Sequence, residues 1–287
     1  MTRAMAMLAA AVLTAGLGGC ASSPIFEHAG MGVGTFTTVW DVGSCHRLDQ
    51  PVQTDPMMLS DTSPAVPCQS EHQSETYAVV PITGAVAAPE QRPSPLWLQH
   101  AVAGACKWSD LGAYLGATDV DIFRDIVPLQ ILPSDDEWRA GIREVRCDAL
   151  VGPRTTASVA SVAMPLKQIL RRAAGARFRV CSFGDVELTC DQPHNWELVY
   201  PYVKFTATEL KADRKTKVAK VAAACVSPVA TYLGTALTNR PDLVLYPEPP
   251  PGDGPHAGAV SGFCWIGPKD KDRLATGTLR TLGSVTP

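Results

Sequence analysis

Cysteine placement constrains this chain more than any other feature, because eight of its nine cysteines fall into two matching sets of four. The second-to-third spacings are 38 and 35 residues and the third-to-fourth spacings are 41 and 39, whereas the first intervals are 23 and 9. Agreement of this kind predicts an internal duplication. The first set is Cys45, Cys68, Cys106 and Cys147, and the second set is Cys181, Cys190, Cys225 and Cys264.

The residues around these cysteines repeat as well. The third cysteine of each set opens a segment that closes on Tyr-Leu-Gly, "CKWSDLGAYLG" in the first set and "CVSPVATYLG" in the second. A proline, an aspartate and a glycine precede the fourth cysteine at equal distances in both sets. We therefore expect residues 37–174 and 175–287 to be two tandem copies of one unit.

The first twenty residues, "MTRAMAMLAAAVLTAGLGGC", have the organisation of an export signal, with Arg3, a short apolar segment and small residues before Cys20. The apolar segment is shorter than the roughly 20 residues that a spanning helix needs, so we expect it to be removed. The end of this segment resembles the bacterial lipobox, which implies that Cys20 is acylated; an ordinary secretory peptide cut near Ala21 is the alternative. Lipid on Cys20 would hold the protein at the outer face of the plasma membrane. Residues 21–36 are predicted to be a tether.

In an exported chain, an even number of regularly spaced cysteines predicts disulfide bonds. Zinc sites typically use Cys-x-x-Cys pairs, and the sequence contains none. A duplicated unit should close its bonds within each copy, which leaves three pairings per copy. We favour first-to-second and third-to-fourth pairing, because Gly184 and Asp185 offer a hairpin turn between Cys181 and Cys190.

The hydrophobic pattern predicts an α+β fold in which each copy has a mostly antiparallel sheet and one helix. In the second copy we expect strands in 176–183, 186–190, 196–207, 241–249, 259–268 and 275–284. A helix over 213–237 should be bent or divided by Pro228.

The first copy follows the same plan. Strands are expected at 38–45, 74–82, 127–133, 142–147 and 158–166, with a helix over 95–116. Its longer first insert, residues 46–66, is predicted to be a surface loop.

Composition excludes several classes of function. Apolar residues make up 46% of the chain and charged residues 18%, which favours a folded core over disorder. A net charge of -3 gives no basic surface for nucleic acid. The sequence contains no Gly-x-Ser-x-Gly, no His-Glu-x-x-His and no phosphate-binding loop, so we expect no enzyme and no cofactor.

A Cys-x-x-x-His-x-x-Glu motif occurs in both copies, with His72 and Glu75 in the first and His194 and Glu197 in the second. The motif leads into a strand pattern, where residues three apart point to opposite faces, which disfavours a metal site. We interpret these residues as structural hydrogen-bonding groups at the head of a strand, with a partner-binding surface or a metal or catalytic site as alternatives. Histidines 28, 46, 100 and 256 do not recur between copies and are predicted on the surface or in loops.

Together these motifs resemble the septum formation family of actinobacterial envelope proteins. The resemblance rests on a Gly-x-Cys start, a Cys-x-x-Pro-His-x-x-Glu core and a late Trp-x-x-Gly before a cysteine, here "VGSC", "CDQPHNWE" and Trp138 to Gly141. The chain departs from the pattern at Glu71, which replaces the usual proline, and at Pro255, which stands where the first copy has Trp138.

The resemblance implies a non-enzymatic envelope protein linked to the division septum. Its partners would be the membrane, through the lipid on Cys20, and an envelope or divisome protein. The alternative is an envelope metal-binding lipoprotein or a cell-wall enzyme.

Overall fold

The computed structural model describes residues 40–48, 60–152, 159–251, 260–270 and 272–280. The predicted signal peptide with Cys20, the tether, His28 and His256 lie outside the described residues.

The first of two five-stranded antiparallel sheets in the described residues is largely buried, and its buried side chains include charged and polar groups as well as apolar ones. Its spatial order is β2-β1-β3-β5-β4, with β3 and β5 joined through most of their length. The strands are β1 Cys45–His46, β2 Ala65–Val66, β3 Ser74–Pro81, β4 Ile126–Ile131 and β5 Glu144–Val151.

The second sheet has the equivalent order, β7-β6-β8-β10-β9. The α+β class and the antiparallel sheets are confirmed. The strands are β6 Val180–Phe183, β7 Val186–Thr189, β8 Trp196–Lys204, β9 Leu243–Glu248 and β10 Ser261–Pro268.

The prediction of one helix per copy is wrong. The expected helix over 95–116 is broken into two, and the break contains Gly104 at φ 80°, a left-handed conformation that cannot continue a helix. The described helices are α1 Pro95–Ala101, α2 Trp108–Leu115, α3 Asp135–Arg139, α4 Ala207–Leu210 and α5 Arg214–Leu233.

Pro228 lies inside α5 and does not divide it. The proline removes one backbone hydrogen bond, but Val221, Cys225 and Val229 on the same face are buried against the second sheet. This packing keeps the 20-residue segment in one helix. No helix in the described parts of the chain is both long enough and apolar enough to cross a membrane.

Two predicted strands are reduced to single bridges. Val162 pairs with His72, and Ala275 pairs with His194. Each pair exchanges two backbone hydrogen bonds of 2.9–3.0 Å. The chain then turns away to meet Glu75 or Glu197, so no ladder forms.

The first insert is not simply a surface loop. Residues 49–59 lie outside the described residues, but Asp61 and Ser63 are only 2% and 4% exposed, and Ala65 and Val66 form β2. The buried part of the insert is held by charge, because Asp61 pairs with Arg146 of β5 at 2.6 Å.

Four disulfides join the cysteines in the favoured pairing: Cys45–Cys68, Cys106–Cys147, Cys181–Cys190 and Cys225–Cys264. The second bond joins the break between α1 and α2 to β5, the fourth joins α5 to β10, and each closes a loop of about 40 residues. The chain-entropy model assigns such a loop about 4 kcal/mol of stabilisation. In the β6–β7 hairpin, Cys181 lies opposite Leu188, and Cys190 follows the strand end.

Candidate functional site

The repeated motif forms two clusters, which we call the first and second Cys–His–Glu sites. The first contains Cys45, Cys68, His72 and Glu75, and the second contains Cys181, Cys190, His194 and Glu197. Strand register assembles both. Cys45 on β1 is paired with Glu75 on β3, and Cys181 on β6 is paired with Glu197 on β8. Directly paired residues point to the same face, so each glutamate lies beside its disulfide.

Glu75 is 1% exposed and joins three parts of the fold. Its carboxylate accepts hydrogen bonds from the Tyr114 hydroxyl at the end of α2 and from the backbone N–H groups of Leu166 and Lys167. Cys45 Sγ lies 3.5 Å from Oε2. Because this sulfur is oxidised and carries no proton, the approach is a van der Waals contact.

Glu197 repeats this arrangement with no solvent exposure. It accepts hydrogen bonds from the Tyr232 hydroxyl at the end of α5, from Thr278 Oγ1 at 2.6 Å and from the Leu279 backbone N–H. Each glutamate therefore ties a helix end and a late chain segment to its sheet. Charge-assisted hydrogen bonds of this kind are roughly twice as strong as neutral ones.

The two histidines also share the same burial and the same Nδ1 contact. Both are fully buried. Nδ1 of His72 lies 2.8 Å from the Ser70 carbonyl oxygen, and Nδ1 of His194 lies 2.8 Å from the Gln192 carbonyl oxygen. Because a carbonyl oxygen only accepts, Nδ1 must carry the proton in both rings. Nε2 of each ring is buried without a hydrogen-bond partner in the described structure.

Sequence reasoning missed the tyrosines of both sites. Tyr114 and Tyr232 are the tyrosines of the repeated Tyr-Leu-Gly segments, so the signal was present but had been read only as a mark of duplication. Burial, followed by the hydrogen bond to Glu75 and its charge, raises the pKa of Tyr114 far above its usual range. Burial and Glu197 raise the pKa of Tyr232 likewise. Both phenols therefore act as hydrogen-bond donors to their carboxylates.

A second buried polar cluster lies in the first sheet and was also missed. Arg146 is fully buried between Asp61 and Asp148, at 2.6 and 3.0 Å. His46 belongs to this cluster, with Nε2 2.9 Å from Ser44 Oγ. The expectation that His46 lies on the surface or in a loop is wrong, because it is 2% exposed on β1. His100 is exposed in the last turn of α1.

The cluster changes the proton affinity of His46. Burial, followed by the positive charge of Arg146, lowers the pKa of His46, and the carboxylates of Asp148 and Asp61 oppose this only in part. The ring is therefore neutral at neutral pH. The sequence signal for this cluster is weak: Arg146 and Asp148 stand in a predicted strand region whose other residues are mostly apolar.

The geometry allows two uses of the Cys–His–Glu sites. As they stand, each carboxylate accepts three hydrogen bonds that hold chain segments together. Ligand atoms of Cys181, Cys190, His194 and Glu197 also lie within 4.8 Å of one another, as do those of Cys45, His72 and Glu75. Metal ligation by cysteine uses the thiolate, however, and these sulfurs are in disulfides.

Comparison with known proteins identifies a family for the chain. No curated protein and no solved structure matches it. The family described as Septum formation matches residues 42–250, which cover most of both sheets and both Cys–His–Glu sites. Since the match spans more than half of the sequence, the chain is a member of the septum formation family.

Proposed function

We propose that this protein is a lipid-anchored, non-enzymatic module of the cell envelope that binds a partner or serves as scaffold during septum formation. The observation that carries the proposal is the family match over residues 42–250. The partner would be an envelope or divisome protein.

The disulfide framework supports a location outside the cytoplasm. Four intramolecular disulfides require an oxidising compartment to form and persist. The predicted export signal that ends at Cys20 would supply a route to such a compartment.

The state of the Cys–His–Glu sites favours a structural role over catalysis. A catalytic carboxylate must reach a substrate, but Glu75 and Glu197 are buried and already bonded to tyrosine and backbone donors. Their bonds hold chain segments in place. Partner binding would therefore use the surfaces that these sites stabilise.

We also propose that residues 37–174 and 175–287 arose by duplication. The two sheets have the same strand order, and the disulfides pair in the same way within each half. In each half the motif glutamate binds the tyrosine of a Tyr-Leu-Gly segment.

Localisation tests both the anchor and the septal role. We expect a fluorescent fusion of the full chain to collect at division sites in the membrane fraction. The Cys20→Ala variant should remain unprocessed or leave the detergent phase, because the thiol that carries the lipid is gone. A fusion spread evenly over the envelope of dividing cells would contradict the septal role. A Cys20→Ala protein that matures and partitions like the parent would contradict the lipid anchor.

A further inference from the structure

The second Cys–His–Glu site contains a feature that its structural role does not use. Nδ1 of His194 donates to the Gln192 carbonyl oxygen at 2.8 Å, so Nε2 is the ring nitrogen that is available to a ligand. Nε2 is buried and has no hydrogen-bond partner among the described residues. A buried polar atom without a partner typically costs about 1–3 kcal/mol. A bound ligand would supply the partner that Nε2 of His194 lacks.

A histidine held in this way is prepared for a metal ion. Metal-binding histidines usually donate their second N–H to a carbonyl or carboxylate, which fixes the tautomer and directs the free lone pair to the ion. The neighbouring groups are also suitable, because ligand atoms of Cys181, Cys190, His194 and Glu197 lie within 4.8 Å of one another. Tetrahedral zinc, with bonds of about 2.0–2.3 Å, places its ligands roughly 3.3–3.8 Å apart. Small side-chain movements would bring these ligand atoms, now within 4.8 Å of one another, to the spacing of a zinc site.

We propose that the second Cys–His–Glu site is a redox-gated site for a divalent ion of the zinc class. A dithiol reductant transfers two electrons and two protons to the Cys181–Cys190 bond and is itself oxidised to a disulfide. The S–S bond breaks and two thiols form. Binding of the ion then releases both thiol protons to solvent, and the two thiolates, His194 and Glu197 complete a four-ligand shell.

Charge around the site suits this product. A divalent ion with two thiolates and one carboxylate carries a net charge of about -1. The Arg179 guanidinium, which interacts electrostatically with Glu197, donates to the Tyr232 hydroxyl at 3.0 Å. Arg179 and Arg280 share the single carboxylate of Asp121, so one positive charge of this buried group is left to offset the negative charge of the loaded site.

The first Cys–His–Glu site supplies an internal control. It contains the same residue types, but only Cys45, His72 and Glu75 fall within the 4.8 Å group, and Cys68 lies outside it. It therefore offers three converging ligands instead of four. We infer that reduction creates one strong ion site per chain, in the second half.

Cobalt titration of the full chain tests the proposal. The oxidised protein is reduced with an immobilised dithiol, separated from it under argon and titrated with Co²⁺. We expect one equivalent to bind with the intense visible absorption of tetrahedral cobalt and a near-ultraviolet thiolate-to-cobalt band. The oxidised protein should show neither band. Zn²⁺ should displace the cobalt and raise the urea midpoint of the reduced chain, because binding to the native state adds to its stability.

Matched variants separate ligation from folding. His194→Ala should weaken cobalt binding by at least about 100-fold, whereas His72→Ala, which removes the equivalent hydrogen bond from the other half, should keep the parent's affinity. Circular dichroism shows whether each reduced protein keeps its fold. The proposal is overturned if the reduced parent shows no cobalt–thiolate band, whether folded or unfolded. Equal affinity in His194→Ala, a greater loss in His72→Ala, or equal binding by the oxidised protein would overturn it as well.

Discussion

Tyr114 and Tyr232 show at the scale of single residues how the two halves differ in detail. Each hydroxyl donates to a buried glutamate. The Tyr232 hydroxyl also accepts a hydrogen bond from Arg179 Nη1 at 3.0 Å and lies 3.3 Å from Thr278 Oγ1. Its removal would therefore disturb more buried polar groups than removal of the Tyr114 hydroxyl.

Phenylalanine substitutions measure this difference. Tyr114→Phe should lower the free energy of unfolding by about 1–3 kcal/mol, because it leaves a buried carboxylate oxygen without its donor. Tyr232→Phe should cost more, since Arg179 also loses an acceptor. Urea unfolding of the two variants at one pH would test this order. An equal or smaller loss for Tyr232→Phe would contradict the proposed network around Glu197.

His46 should make stability depend on pH. Its pKa is lowered by burial and by Arg146, so below about 6.5 the unfolded chain binds a proton that the folded chain does not. Stability from this residue is therefore complete above pH 6.5 and declines as the pH falls, by up to about 1.4 kcal/mol per unit. Urea midpoints measured from neutral to mildly acidic pH should show this decline. His46→Gln should reduce the slope, and the exposed control His100→Gln should retain it. An unchanged slope in His46→Gln would show that other groups cause the decline.

These residues mark the limits of sequence reasoning at this scale. The Cys, His and Glu positions repeat at fixed offsets, but the strand pattern places His and Glu on opposite faces. That expectation is wrong, because their ligand atoms converge within 4.8 Å in both sites. The tyrosine that donates to Glu197 is 35 residues away in sequence, and the one that donates to Glu75 is 39 residues away. Only the packing of a helix end against the sheet identifies them. His46 gave no repeated signal, because the Arg146 cluster occurs in one half.

At the scale of elements, Gly267 on β10 and Gly112 in α2 differ in the space available to an added Cβ. Gly267 on β10 faces Trp196, and a Cβ there would lie 1.9 Å from the Asn195 carbonyl oxygen and 2.8 Å from the Trp196 ring. Gly112 in α2 has room, since its Cβ would meet only the Ala117 Cβ, at 3.7 Å. Close approach of a neighbouring backbone explains the glycine on β10, whereas no such contact requires the glycine on α2.

Alanine substitutions should therefore differ in sign. Gly267→Ala should destabilise the protein by about 1–3 kcal/mol, because the backbone of Asn195 must move. Gly112→Ala should stabilise it by about 0.5–1 kcal/mol, because alanine loses less entropy in a helix. Thermal unfolding of both variants beside the parent is the measurement. Stabilisation by Gly267→Ala would mean that the Asn195 segment is free to shift.

Most sheet strands were predictable at this scale because apolar alternation and turn residues are local signals. The helix count was not. Gly104 ends the first predicted helix because its backbone is left-handed, and the apolar periodicity gives no sign of this. In α5, tertiary packing keeps the helix continuous across Pro228. The segments at Val162 and Ala275 have strand-like composition but become single bridges, since their following residues bind the buried glutamates.

At the scale of the whole molecule, each half contributes a buried side chain to the core of the other half's sheet. Val120, from the first half, packs in the core of the second sheet, and Phe178, from the second, packs in the core of the first.

Buried charge joins the two halves as well. Arg179 is 1% exposed, pairs with Asp121 at 2.7 Å and donates to the Leu170 carbonyl oxygen at 2.8 Å. Burial tends to raise the pKa of Asp121, but Arg179 and hydrogen bonds from Thr118 outweigh it, so the pKa is lowered and the carboxylate stays charged.

This boundary predicts that residues 37–287 unfold as one cooperative unit despite their two cores. Tryptophan fluorescence and far-ultraviolet circular dichroism should give coincident urea transitions for the full chain. Arg179→Met removes one of the two buried cations that pair with Asp121 and leaves only Arg280. Breaking a buried pair on one side typically costs about 3–5 kcal/mol. Adding Asp121→Asn and Arg280→Met to that variant should restore part of the loss, because no charge of this buried cluster is then left without its partner. Two separate transitions in the parent would show that the halves fold independently. A triple variant no more stable than Arg179→Met would show that the buried charge cluster around Asp121 is not what couples them.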